Sequence, residues 1–267
     1  MEYKRFVPEG WNESKQEYTI NNLEDILKNG KIIQGYVEKC DENYNLFINL
    51  GDNIRGIIPR NEMEAINIDE FGFCKTQICK NKINKFVQFK VKEIYNNESV
   101  ILSRKLAQEE ALEWMKKELK PGMIIDGIVK NIRKFGAFVE IGAGVVGLLH
   151  IEDMSISRIR TPEERFYIGQ KVKVMVKSID EENNRIVLSY KELLGDWEEN
   201  IQYFKEKMIV KGTVKETDKY KNGIFVELKP NLVGLAEYKE GFSYGQSVDV
   251  YIKKIIKDRK KIKLIIV

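Results

Sequence analysis

The sequence predicts an all-β fold: three tandem five-stranded OB-type barrels joined by amphipathic α-helical connectors. Three observations predict it. A glycine-centred strand recurs as Ile33-Gln-Gly-Tyr-Val37, Ile125-Asp-Gly-Ile-Val129 and Val210-Lys-Gly-Thr-Val214, with Gly35, Gly127 and Gly212 spaced 92 and 85 residues apart. A second glycine with apolar neighbours recurs at Gly56, Gly147 and Gly234, spaced 91 and 87. Each unit then closes on an alternating stretch followed by a short apolar strand, as in Val172-Lys-Val-Met-Val and Arg185-Ile-Val-Leu-Ser. Landmarks that agree in period mark a tandem array.

In chain order, residues 1–25 form a leader, irregular to about residue 19 and then a short helix over 21–27. The first unit spans 26–105, a connector 106–119, the second unit 120–191, a second connector 192–205 and the third unit 206–267. Within the second unit the period is two: Val172, Val174 and Val176 share one face, Lys173 and Met175 the other. Gly142-Ala-Gly144 and Glu181-Glu-Asn-Asn184 read as turns, and Thr161-Pro-Glu-Glu164 as one helical turn with its cap. Five short strands with a single helical turn before the fourth suit a closed barrel, which leaves no strand edge open to aggregation. Between units the period becomes helical. Leu106, Leu112, Met115 and Leu119 form the expected buried stripe of the first connector; Leu193, Leu194, Trp197, Ile201 and Phe204 form that of the second.

Composition narrows the function. The 267 residues are 43% hydrophobic and 32% charged, with no apolar run long enough to cross a bilayer as a helix and no apolar segment near the N-terminus. Cys40, Cys74 and Cys79 make no disulfide framework, so the expected setting is the cytoplasm, with reduced thiols. Lys plus Arg exceed Asp plus Glu by 45 to 41. The three units carry net charges of +1, +3 and +6, and the two connectors −2 and −3. Basic barrels with acidic connectors suit a polyanion lying along the barrels.

The second unit concentrates the chemistry. Phe135 and Phe138 flank Gly136-Ala137, with Lys130, Arg133 and Lys134 just ahead. Exposed rings stack unpaired bases, at about 1–3 kcal/mol per base. On a regular strand, residues three apart face opposite ways, so either a bulge intervenes or one ring faces out. His150 is the sole histidine, and Cys74 and Cys79 lack a second pair, so no metal site is expected. No Ser/His/Asp set or phosphate-binding glycine loop stands out, which predicts a non-enzymatic chain without cofactor.

The run Lys-Phe-Gly-Ala-Phe-Val-Glu-Ile, then Gly-Leu-Leu-His-Ile, Gly-Gln-Lys-Val and Ile-Val-Leu-Ser resembles the S-one RNA-binding domain. The resemblance covers 120–191 closely and 26–105 and 206–267 more weakly. It implies an OB barrel whose RNA face carries Phe135, Phe138 and His150, with Arg185 as the basic residue before the last strand and Asp180 in the preceding turn. Tyr44 and Phe47 fill the aromatic positions of the first unit, but Pro59 stands in the histidine position, followed by Arg60. In the third unit Phe225 fits the second aromatic, Tyr220 or Asn222 the first, and Lys261 the basic position; Glu237 replaces the histidine. The resemblance implies binding of single-stranded RNA, with messenger RNA at the small ribosomal subunit as the setting. An accessory RNA-binding protein acting off the ribosome and a protein-interaction scaffold are the two alternatives. The second barrel is expected to bind best and the first least, with protein contact as the alternative role of the first.

Overall fold

A computed structural model describes residues 6–267 apart from 52, 67, 97 and 218–222. It contains three closed five-stranded barrels. The first is built from β1 (Ile32–Cys40), β2 (Leu46–Asn49), β3 (Arg55–Ile58), β4 (Phe86–Asn96) and β5 (Ser99–Ser103). The second uses β6 (Ile124–Arg133), β7 (Gly136–Gly142), β8 (Val145–His150), β9 (Lys171–Asp180) and β10 (Arg185–Ser189). The third uses β11 (Ile209–Thr217), β12 (Ile224–Lys229), β13 (Leu232–Ala236), β14 (Ser247–Ile256) and β15 (Lys261–Ile266). In every barrel the fifth strand inserts between the third and fourth. It runs parallel to the third, as in Leu235↔Lys263, and antiparallel to the fourth, as in Ile252↔Leu264. The repeated first glycine has a steric cause. At Gly35 a Cβ would meet the Ile48 side chain of β2 and the Phe89 ring of β4, the two neighbouring strands, and at Gly127 and Gly212 it would meet Val139 of β7 and Val226 of β12, again from a neighbouring strand.

Alternation along β9 is as the sequence predicts: Val172, Val174 and Val176 are buried and Lys171, Lys173 and Lys177 exposed. The capped helical turn also forms, at Pro162–Glu164. The leading helix α1 covers Ile20–Lys28, and a short α2 covers Thr76–Lys80.

The connectors differ from expectation. The first is a helix, α3 (Arg104–Glu118); Met115 and, at its C-cap, Leu119 are buried as expected and Leu112 is half-buried, but toward the N-terminal end Ala107 and Ala111 carry the buried stripe while Leu106 faces solvent. Small residues let the helix approach β4 closely, so the buried positions of the first turns go to them and not to Leu106. The second is not one helix. A 3-10 turn at Lys191–Leu194 ends on Gly195 (φ 76°), and a new short helix, α4 (Trp197–Ile201), starts under an Asp196/Glu199 capping box. Gly195 takes a conformation that a side chain rarely adopts, and Asp196 is a strong N-cap, so together they stop one helix and start another.

The chain divides into two compact units. The first takes in residues up to Lys130 with Val139–Gly147 and Gly169–Ile186. In it the leader is not loose. Glu9 is buried; its carboxylate accepts from Nε and Nη2 of Arg104, from the Gln88 backbone and from Lys82 Nζ, and its own N–H donates to Glu140 Oε2 at 2.7 Å. Arg104, equally buried, also pairs with Glu64 and donates to the Met63 carbonyl. Buried charge of this kind persists only when fully paired. Burial raises the Glu9 carboxyl, but the Arg104 and Lys82 charges and the donated hydrogen bonds outweigh it and hold the group far below the usual carboxylate range. Burial and the Glu9 charge push Glu140 the other way, up to about 7.

The second unit takes in Asn131–Phe138, Leu148–Ile168 and Val187–Val267. Here the segment after β8 is tied to the third barrel. Arg165 pairs with Glu227, Lys215 with Glu164 at 2.8 Å, Ser157 N–H donates to the Pro230 carbonyl, and the Arg160 guanidinium lies 3.9 Å from the Tyr244 ring centre.

Candidate nucleic-acid interface

The ring pair is placed by one close approach. A Cβ at residue 136 would sit 2.5 Å from the Leu149 carbonyl oxygen and 3.1 Å from the His150 Cα, so only glycine lets the start of β7 lie against the end of β8. The Ile151 N–H then donates to the Phe135 carbonyl at 2.9 Å, which fixes Phe135 beside His150. Phe135 precedes β7 rather than lying in it, and this resolves the period-two conflict: it is 49% exposed, while Phe138 is half-buried on the outer face, opposite the fully buried Ala137 and Val139. The two rings meet edge to face, centres 6.0 Å apart and planes at 85°. In such a pair the two rings are not stacked face to face on each other.

His150 caps the 3-10 turn Ile151–Asp153, its Nδ1 accepting from the Glu152 N–H at 3.4 Å. The Glu152 carboxylate lies 3.8 Å from the same Nδ1. Arg133 and Lys134 are exposed and form no ion pair among the described residues. Rings, an imidazole and two uncommitted cations in one stretch of surface can stack a planar group and neutralise an anion beside it.

In the first unit, Asp180 and Arg185 bracket the β9–β10 turn. Both Asp180 oxygens are taken by Asn183, from its N–H at 3.0 Å and its Nδ2 at 2.8 Å. These hydrogen bonds, with the Arg185 charge, hold the carboxyl below its usual range. Asp180 thus builds the turn, and Arg185 stands exposed at its end. Lys130 is exposed, but its ammonium is engaged: Nζ donates to the Glu9 carbonyl at 3.0 Å and lies 3.6 Å from Glu140.

Of the first-barrel positions, Tyr44 and Phe47 are half-buried, and Arg60 lies over the Tyr44 ring. In the third barrel Phe225 and Lys261 are exposed, and Glu237 lies 3.7 Å from Lys253. Tyr220 and Asn222 lie outside the described residues. No group of three or more potential metal ligands occurs among the described residues, and no helix there is long and apolar enough to cross a membrane. The part of Glu9 was invisible in sequence, since its partner Glu140 lies 131 residues away.

Fold and ring face together define a tandem array of S1-like barrels: residues 118–191 match the family model of the S1 RNA binding domain. Over 264 residues the chain is 33% identical to small ribosomal subunit protein bS1 of Staphylococcus aureus, covering 93% of this chain and 64% of that protein. The corresponding protein of Staphylococcus saprophyticus is 33% identical over 235 residues, 85% of this chain and 56% of its own length. The chain therefore spans less than two thirds of these relatives. Among solved structures, GSP13 from Bacillus subtilis is 28% identical over 29% of this chain and 60% of that one, with a TM-score of 0.28.

Proposed function

We propose that the chain binds single-stranded RNA without catalysis, as a translation protein of the cytoplasm that holds messenger RNA at the small ribosomal subunit. The observation that carries this reading is the half-exposed Phe135 set edge-on to Phe138 beside His150 and two unpaired cations. Unpaired bases stack on the rings, His150 donates to a base edge, sugar or phosphate, and Arg133, Lys134 and Arg185 neutralise phosphates. The S1 match over 118–191 and the likeness to bS1 support it. Phe225 and Lys261 offer a smaller second surface on the third barrel. A-form duplex is a poor ligand, because its bases are already stacked and its deep groove admits no side chain.

Anisotropy titration of a labelled oligouridylate against a duplex of the same length tests it. The expected result is preference for the single strand, weakening steeply with salt; equal affinity for both, or indifference to salt, contradicts it. A second reading, protein contact through the first barrel, is favoured by the loop before α2, where Phe71 is 77% exposed and Ile66 and Ile68 also face solvent.

A further inference from the structure

The first barrel carries the same architecture at its ring position, but there the ring is already engaged. Pro59 (φ −60°, ψ 150°) stands at the N-cap of the 3-10 turn Arg60–Glu62 with the backbone angles that His150 (φ −67°, ψ 150°) has before Ile151–Asp153, though without the side-chain cap that His150 supplies. Arg60 is therefore the structural counterpart of Ile151. Where the Ile151 N–H reaches the Phe135 carbonyl, the Arg60 N–H reaches Asn45 Oδ1 at 3.1 Å, in the turn that carries Tyr44.

That turn is built to hold Tyr44 in place. Asp41 accepts from the Asn45 N–H at 2.8 Å and from Asn45 Nδ2 at 2.9 Å, and Tyr44 takes the left-handed region at φ 65°. A tyrosine stays in that region only where its surroundings over-determine it. The Arg60 guanidinium centre lies 5.5 Å from the Tyr44 ring centre and 5.3 Å from that of Phe73, within cation–π range of both. It is held there from behind: Nε donates to the Cys74 carbonyl at 2.8 Å and Nη2 to Asp69 at 3.0 Å. No cation lies over Phe135 or Phe138 among the described residues.

Resting on the single-stranded RNA reading above, we propose that Arg60 is an intramolecular plug. Its guanidinium occupies the ring surface of Tyr44 that the second barrel leaves open at Phe135, and so excludes nucleobases from the first barrel. Asp69 neutralises it, so it is not an additional phosphate contact. Arg60 thus decides which barrels read unpaired bases.

The test uses the full chain and a labelled oligouridylate. In a Phe138→Ala background, where the second ring surface is impaired, adding Arg60→Ala is expected to tighten binding at least about fivefold, in line with one added base stack. Adding Tyr44→Ala should abolish that gain. Arg60→Gln, which keeps a donor for the Cys74 carbonyl without the charge, should reproduce the gain if Arg60→Ala folds poorly by circular dichroism. Unchanged or weaker binding on removal of Arg60 overturns the plug, weaker binding marking Arg60 as a phosphate contact. A wild-type chain that fails to bind oligouridylate overturns the RNA reading itself, which separates the two failures.

Discussion

The second and first barrels close with one strand order and carry a 3-10 turn after their third strand, yet they present that turn differently. In the second, Gly136 lets β7 lie against β8, Phe135 emerges at the surface, and the residue after the cap, Ile151, donates its N–H to the Phe135 carbonyl. In the first, the residue after the cap is Arg60, and the Asp69–Phe73 loop supplies an acceptor and a second ring that keep its guanidinium over Tyr44. The two barrels thus place a ring beside the same turn, but cations lie over Tyr44, Arg60 and Lys80 each 5.5 Å from its ring centre, where among the described residues none lies over Phe135. A charge census could not see this. The first barrel's cations Lys82 and Arg104 are spent on Glu9, and Arg60 on Asp69.

The sharpest way to break the comparison is to attack what the first barrel uses its charges for. Arg104→Ala leaves Glu64 buried without its cation and Glu9 with Lys82 alone, and is expected to cost about 3–5 kcal/mol of stability, read from denaturant unfolding. Binding of oligouridylate by the protein that remains folded should be unchanged, since Arg104 touches no part of the ring pair. A stability loss under 1 kcal/mol would mean that the buried cluster is not what holds the leader.

Next in size are the rings themselves. Phe138→Ala should weaken oligouridylate binding by about 1–3 kcal/mol with the fold intact, and Tyr44→Ala in the wild-type chain should leave it unchanged. Equal losses from the two substitutions would erase the distinction between the barrels.

A smaller effect lies in pH. Glu140 titrates near 7 in the folded chain against 4.5 ordinarily, because burial and then the Glu9 charge disfavour its ionised form. Between those values the folded chain holds a proton that the unfolded chain has released, so this contribution to stability declines as pH rises through the window. Glu9, held low, acts oppositely: its contribution is present above about 4.5 and disappears as pH falls further. Thermal melts from pH 5 to 8 should show the decline, and Glu140→Gln should flatten it. A slope that survives that substitution would assign it to another group.

Smallest is the salt response. Lys134→Ala should reduce the slope of log K against log salt by about 0.7, the value for one phosphate contact on a single strand. Lys130→Ala should leave the slope alone, since that ammonium serves the Glu9 carbonyl.

Much of the fold was legible because its causes are local or periodic. The repeated glycines mark where a bulky side chain of a neighbouring strand leaves no room for a Cβ, and the valines of β9 alternate with lysines as a half-buried strand requires. The break in the second connector was also written in the chain, in Gly195 and the Asp196-to-Glu199 capping box, but the apolar period of Leu193, Leu194 and Trp197 concealed it. In the first connector Met115 and Leu119 are buried as the period requires, but Leu106 is not, because Ala107 and Ala111 take the buried positions of the first turns. At the site, Phe135, Phe138 and His150 were legible from spacing and family pattern. The commitments of Lys130 to the leader and of Arg60 to Tyr44 were not, since each depends on partners that only the folded chain brings near.

The central claim is that unpaired bases meet the rings of the second barrel and not that of the first. Ring carbon resonances of phenylalanine and tyrosine, assigned by substitution and followed while oligouridylate is added, test it most directly. Phe135 and Phe138 should shift together and saturate at one concentration, with Tyr44 unmoved; a shift of Tyr44 with the two phenylalanines silent would contradict the account.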